Sequence, residues 1–95
     1  MGNPHIFKGV YESKTVTDTA SVILSARGNR RYLLIQNVGS VDIYIKFGEP
    51  AVADETSLLF LANGVGVMMQ DTIVESEYIS AVTATGTGYL VVGQG

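Results

Sequence analysis

The sequence predicts an all-β fold, a single-domain antiparallel β-sandwich or small jelly roll. No window keeps apolar residues at the helical spacing of i, i+3, i+4 and i+7. Instead, short segments rich in β-branched and aromatic residues recur roughly every eight to twelve residues, with Gly, Asn, Ser or Pro between them. A chain of 95 residues has the size of one domain. Many short strands in one small domain favour two packed antiparallel sheets.

Residues 1–12 are expected to form a flexible N-terminal arm, and residues 13–95 to form the sandwich domain. Gly, Asn and Pro open the arm, and apolar or aromatic Ile6, Phe7 and Tyr11 follow. Terminal segments stay poorly ordered unless something ties them down. The arm side chains either pack on their own sandwich or anchor the chain on a neighbouring subunit, and the sequence leaves both alternatives open.

The first strands are expected at residues 13–17, which are rich in β-branched residues, and at residues 20–25. Residues 26–29 supply the Gly and Asn of a turn. Apolar segments separated by Gly and Asn place the later strands at residues 57–62, 65–70, 72–74, 78–83 and 89–92. No internal repeat and no domain boundary interrupts this series.

Residues 31–37 and 41–47 are predicted to pair as a β-hairpin. The first segment has apolar residues on both faces, as in a central strand that is covered on both sides. In the second segment apolar residues alternate with Asp42, Tyr44 and Lys46, which is typical of a half-buried antiparallel strand. We therefore expect the face formed by these three side chains to point outward as a contact surface.

The low content of charge predicts that the chain hides part of its surface. Charged residues make up 16% of the sequence, against roughly 25% in typical soluble domains. A small fold exposes a large share of its area, so a charge-poor small chain is expected to bury surface in an oligomer or on a larger assembly. Three of the six basic residues, Arg27, Arg30 and Arg31, cluster at one predicted corner.

Net charge and hydropathy argue against nucleic acid and membrane as partners. Nucleic-acid binding needs a concentrated basic face, whereas the net charge here is −3. No apolar run approaches the roughly 18 residues of a transmembrane helix. The N-terminus also lacks the basic and apolar regions of a signal peptide, so secretion by that route is not expected.

Reactive side chains are scarce, so the sequence predicts a non-enzymatic protein without catalytic, cofactor-binding or metal-ligating residues. It has no Cys and a single histidine, His5, in the arm. A nucleophile with a positioned base, or a zinc site, needs more such groups on rigid elements. Two acidic groups, at residues 49–55 and 71–77, lack the spacing of a calcium loop and are interpreted as solvated. Bound Ca²⁺ or glycan remains open.

A resemblance to known proteins rests on a series of segments in the second half of the chain and just before it. They are RYLLIQN, GS and IYIKFG, then an apolar strand, Asn63-Gly64, and a Thr-Gly-rich end before a last strand. Between residues 21 and 93 the chain resembles small all-β virion proteins of tailed bacteriophages. The resemblance implies a structural role as a decoration or cement protein on the capsid surface, often a homotrimer, that binds the major capsid protein and its own copies. It transfers no catalytic or metal-binding residues.

Two alternatives to a capsid decoration protein stay open: a tail or head-tail accessory protein, and a carbohydrate-binding or adhesin β-sandwich module in which exposed tyrosines stack on sugars. In every case contact surfaces and not an active site are expected to carry the function. The candidate contact residues are Ile6, Phe7, Tyr11, Arg27, Arg30, Arg31, Asp42, Tyr44 and Lys46.

Overall fold

The computed structural model describes residues 10–28, 30, 32–70 and 77–94. In these ranges the chain is all-β, without a helix, and forms eight strands. The strands are β1 (Val10–Val16), β2 (Ser21–Leu24), β3 (Tyr32–Asn37), β4 (Ile43–Phe47), β5 (Leu58–Phe60), β6 (Gly66–Gln70), β7 (Ile79–Val82) and β8 (Gly88–Gln94).

The strands form two antiparallel sheets of four strands each. The first sheet has the order β1-β8-β3-β6 and the second the order β2-β7-β4-β5. Every pairing is antiparallel. All connections except the one between β4 and β5 lead from one sheet to the other. The predicted all-β antiparallel architecture is confirmed, and the arrangement is sandwich-like.

One apolar core joins the two sheets. Its fully buried members include Leu33 and Ile35 of β3, Ile43 and Ile45 of β4, and Leu90 of β8. Apolar residues that alternate along a strand share one face, so each strand directs this face toward the opposite sheet. Burying a side chain of this size contributes about 1.5–3 kcal/mol relative to exposing it. The core therefore fixes which residues of each strand point outward.

The predicted hairpin is wrong, although both of its strands exist. β3 pairs with β6 and β8 in the first sheet, whereas β4 pairs with β5 and β7 in the second. Residues 38–42 therefore cross between sheets and do not close a turn within one sheet. Strand patterns along a sequence specify which face of a strand is buried, but they do not specify the strand beside it.

The predicted faces of these two strands agree with the structure. Ile43 and Ile45 of β4 are fully buried, while Tyr44 and Lys46 on the opposite face are half-buried. The outward face of β3 is also partly covered, because Tyr32 is buried.

The first strand begins earlier than predicted. β1 starts at Val10, and Tyr11 pairs with Gly93 of β8. Residues 10–12, which the sequence assigned to the arm, thus belong to the first sheet. The rest of the predicted arm, with Ile6 and Phe7, lies outside the described residues, as does the strand predicted at residues 72–74.

Asn37, the last residue of β3, fastens the crossover to the second sheet. Its side chain is fully buried, and its Nδ2 donates to the carbonyl oxygens of Val41, at 2.8 Å, and Phe60, at 2.9 Å. Its Oδ1 accepts from the N–H of Gly39 at 3.1 Å. Main-chain carbonyls in a crossover have no ladder partner and need such donors. One amide therefore holds the crossover and the end of β5 against β3.

We expect Asn37→Asp to destabilise the protein strongly. The carboxylate has nearly the shape of the amide but donates no hydrogen bond, so the carbonyls of Val41 and Phe60 lose their donor beside a buried charge. The expected loss is about 3 kcal/mol in the free energy of unfolding. Urea denaturation followed by circular dichroism measures it.

The matched control is Gln36→Glu, the same chemical change on the neighbouring residue. The Nε2 of Gln36 donates to the carbonyl of Gly64 at an exposed site, where water replaces the lost bond. Its effect is expected to stay within about 0.5 kcal/mol. Equal losses for the two variants would contradict the role of Asn37.

Candidate interaction surface

The outward residues of β1, β8 and β3 form one continuous face of the first sheet. The core residues of these strands point inward, so the alternate residues point away from the second sheet. We call this surface the tyrosine face. Its members are Tyr11, Ser13, Thr15, Tyr32, Leu34, Gln36, Tyr89, Val91 and Gly93.

The tyrosine face carries no charge at any of these nine described positions. The charged residues of β1, Glu12 and Lys14, have the opposite orientation and form an ion pair of 3.2 Å at the rim. The rows across the strands are fixed by the register, in which Ser13 opposes Val91 and Val91 opposes Gln36. Small polar, apolar and amide side chains thus alternate over three neighbouring strands.

Two tyrosines make the face accessible to a partner. The exposed fraction is 54% for Tyr11 and 51% for Tyr89, while Leu34 and Val91 are half-buried. Tyr89 lies four residues from Gly93, the residue opposite Tyr11, which corresponds to about 13 Å along β8. The face therefore presents two half-exposed rings, one toward each end of the sheet.

Tyr11 and Tyr32 meet across Gly93 of the strand between them. Their rings stand edge to face with centroids 6.2 Å apart and an interplanar angle of 86°. Their hydroxyl oxygens share a hydrogen bond of 2.9 Å. A Cβ on Gly93 would lie 2.8 Å from the ring of Tyr11, so only glycine leaves room for this approach. The pair holds Tyr11 in a fixed position on the face.

Burial, followed by the hydrogen bond and the charge interaction with Tyr11, together raise the pKa of Tyr32 to about 12. Each effect disfavours the tyrosinate form. Tyr32 therefore keeps its proton as a hydrogen-bonding group of the face far above neutral pH.

One member of the predicted arginine cluster, Arg30, is not at the surface. Arg30 is only 4% exposed, although the sequence assigned it to a contact surface. Its guanidinium donates from Nε to Oε1 of Gln94 at 3.0 Å, from Nη2 to the carbonyl of Ser25 at 2.9 Å and from Nη1 to the carbonyl of Glu77 at 3.4 Å. Arg27 is exposed, and Arg31 lies outside the described residues. Arg30 thus joins segments that lead from both sheets.

The predicted contact residues of β4 lie on the second sheet, away from the tyrosine face. Tyr44 and Lys46 point outward there and are half-buried, and Lys46 lies 3.9 Å from Glu49 in an ion pair. Asp42 is exposed, and its carboxylate accepts the N–H of Ala62 at 2.8 Å. Among the predicted residues that the structure describes, only Tyr11 belongs to the tyrosine face.

The acidic residues that the structure describes do not converge. Within the described ranges, no group of three or more His, Cys, Asp or Glu side chains is placed to hold a metal ion. The hydroxyl and the N–H of Thr56 bond the carboxylate of Asp54 and lower its pKa. Asp54 thus orders its own loop. The described part of the chain also contains no helix with the length and apolarity to cross a membrane.

Sequence reasoning missed most of the tyrosine face. Tyr89 and Val91 alternate with Leu90 and Val92, so both faces of β8 are apolar in the sequence and the outward face has no distinct signal. The signal that could have located the face lies in β1. Val16 is buried, so the residues at alternate positions from it point inward and the remaining residues of β1 point outward.

Comparison of the chain with protein-family models, with curated proteins and with solved structures found no match.

We expect ionisation of Tyr32 to weaken the fold at high pH. The unfolded tyrosine releases its proton near pH 10.0, while the folded one keeps it to about pH 12. The stabilising contribution is therefore present below pH 10 and is lost as the pH rises through this window. Urea denaturation at a series of alkaline pH values measures the decline.

Two variants distinguish the loss of stability caused by ionisation of Tyr32 from losses caused by other groups that ionise at alkaline pH. Tyr32→Phe should remove this part of the decline, whereas Tyr11→Phe should reduce it only in part, because burial is the larger cause of the shift. A decline in Tyr32→Phe as steep as in the wild type would refute the assignment.

Proposed function

We propose that the chain is a non-enzymatic structural protein of a virion, a capsid decoration or cement protein that binds through its tyrosine face. The observation that carries this proposal is the absence of charge from the nine outward positions of three neighbouring described strands. Removing charged groups from water is costly, so a surface without them is suited to burial. Protein interfaces are enriched in tyrosine and depleted of charge at their centres.

The size of the chain supports a role in which contact area is the function. A standard interface buries about 800 Å² on each partner, which is about a seventh of the 5504 Å² exposed by this chain. A cement protein stabilises a shell by adding such contacts between subunits. Each copy then contributes binding free energy in proportion to how well its face fits, and it needs no reactive side chain.

We also propose that the sandwich-like arrangement is a small jelly roll. Eight antiparallel strands divided equally between two sheets, with nearly all connections leading from sheet to sheet, support this fold. Jelly rolls occur in viral capsid and lectin domains, which adds an argument by fold analogy for the virion and also for a glycan-binding protein.

The proposed partners are the major capsid protein and other copies of this chain, in a homotrimer on the capsid surface. The net charge of −3 and the burial of Arg30 speak against DNA as the partner. Ile6 and Phe7, which lie outside the described residues, are proposed to add an anchor on a neighbouring subunit.

We expect Ser13→Glu to abolish binding to capsids. Ser13 is exposed on the tyrosine face, so the substitution adds a charge there without disturbing the core. Burying one unpaired carboxylate costs several kcal/mol, which corresponds to a loss of at least about a hundredfold in affinity. Co-sedimentation with purified heads of the phage whose genome encodes the chain measures it.

The matched control is Thr19→Glu, which places the same charge on an exposed residue after β1 and off the face. It should co-sediment like the wild type, and neither protein should bind duplex DNA. If the wild type does not bind heads, the cement proposal is wrong. If it binds only tails in electron micrographs, the tail accessory alternative is supported instead.

One observation favours the glycan-binding alternative: the half-exposed rings of Tyr11 and Tyr89 lie on a face with hydroxyl and amide side chains. Aromatic rings stack on sugar faces while such neighbours hydrogen-bond to sugar hydroxyls. For this function Tyr89→Ala should lose binding on a glycan array, whereas Tyr89→Phe should keep most of it because the ring remains. A wild-type protein that binds no glycan excludes the alternative.

A further inference from the structure

An Asn-Gly turn leads from β5 of the second sheet to β6 of the first. Asn63 and Gly64 have positive φ values of 68° and 107°, in the left-handed region that these two residue types tolerate best. Both residues are exposed. Glycine has no side chain to crowd its own nitrogen, so the turn combines an accessible side-chain amide with an accessible backbone nitrogen.

This pair of residues can react with itself, since asparagine is a chemically labile residue. Once the backbone nitrogen of Gly64 has lost its proton, it attacks Cγ of Asn63 and forms a C–N bond. The bond from Cγ to Nδ2 breaks, and ammonia leaves with a proton from solvent. Water then opens the cyclic imide at either of its carbonyl carbons, which gives aspartate or isoaspartate. The reaction consumes water, releases ammonia and needs no oxidant or reductant.

The fold holds the attacking nitrogen in a hydrogen bond. The N–H of Gly64 donates to the carbonyl of Asn37 at 2.7 Å, and the N–H of Asn63 donates to the carbonyl of Gly39 at 2.9 Å. The carbonyl of Gly64 accepts from Nε2 of Gln36 at 3.0 Å. An N–H that donates to a carbonyl is harder to deprotonate, because the bond stabilises its neutral form. These bonds also keep the peptide group of the turn from rotating toward the side chain.

We propose that Asn63 is a self-modification site that the crossover after β3 keeps inactive. Its side-chain amide is converted to a carboxylate only when the hydrogen bond between Gly64 and Asn37 opens. Asn37 controls this opening, because its buried side chain fixes the crossover while its carbonyl holds the nitrogen of Gly64. The reaction takes place within one chain with water as the co-reactant, and it does not depend on binding to a capsid.

The two products differ in their effect on the fold. Aspartate leaves the main chain unchanged, and it tolerates the left-handed φ of residue 63. Isoaspartate leads the main chain through the former side chain and so lengthens it by a carbon atom. The N–H groups of residues 63 and 64 then cannot both reach the carbonyls of Gly39 and Asn37. A chain modified to isoaspartate therefore loses bonds that close the turn onto the crossover.

The first test compares folded and unfolded wild-type protein at mildly alkaline pH, without urea and in urea above the unfolding midpoint. Mass spectrometry of peptides and an isoaspartate methyltransferase assay measure conversion at residue 63. It should be at least about tenfold faster in urea, because the reaction needs the turn to open. Asn37, which precedes Val38, is the internal reference. In urea it should convert more slowly than Asn63, because a β-branched side chain crowds the attacking nitrogen.

A pair of variants tests whether the crossover is the part that opens. Asn37→Asp loosens the crossover itself. Ile79→Ala weakens the core at a fully buried residue of β7, opposite Phe47 at the end of β4 that is remote from the crossover. At urea concentrations that leave equal fractions of the two variants folded, Asn37→Asp should convert Asn63 several-fold faster.

Three results would overturn the proposal: conversion of Asn63 in the folded wild type as fast as in urea, no conversion in urea, or equal rates in the two variants. Asn63→Asp is the control for the products. It should unfold at the urea midpoint of the wild type, whereas chains that carry isoaspartate at residue 63 should unfold at a lower urea concentration.

Discussion

The structure depends on supplying hydrogen-bond donors to the connections between its two sheets. A segment that leaves one sheet for the other continues neither ladder, so its carbonyl groups need partners from elsewhere. Three buried polar residues of the described chain provide them, and each donates to at least one main-chain carbonyl of such a connection. They are Arg30, Asn37 and Thr83. Unmade bonds at these buried sites would each cost about 1–3 kcal/mol, a large share of the stability of a small domain.

Two of these donors flank β3, the strand that the first sheet is built around. Arg30 precedes β3 and bonds to carbonyls next to β2 and β7, while Asn37 ends it and bonds to the second sheet at β5. Between them Leu33 and Ile35 are fully buried. A shift of one residue would move both leucine and isoleucine out of the core and Tyr32 into it. The hydrogen bonds of Arg30 and Asn37 and the packing of the core thus set the same register of β3. That register places the alternate residues of β3 on the tyrosine face.

The sequence was sufficient to locate strands and insufficient to pair them. Alternation in β4 predicted the burial of Ile43 correctly, because one face of a strand has to be apolar when it meets a core. The neighbour of β4 depends on contacts distant in sequence, and residues 38–42 resemble a turn although they form a crossover. Arg30 was misplaced for a related reason: its carbonyl acceptors, at Ser25 and Glu77, come together only in the folded chain. In β1 polarity alone would direct Glu12 outward, whereas the core position of Val16 directs it to the rim.

The distribution of charge sets the tyrosine face apart from the second sheet. The described ion pairs lie at the rim of the first sheet, between Lys14 and Glu12, and on the second sheet, between Lys46 and Glu49. The tyrosine face lies on the outside of the first sheet. A capsid subunit bound to this face would therefore leave the ion pair of the second sheet in water. The proposed homotrimer would present three such faces to a larger assembly, and multivalent binding strengthens weak individual contacts when all of them can engage at once.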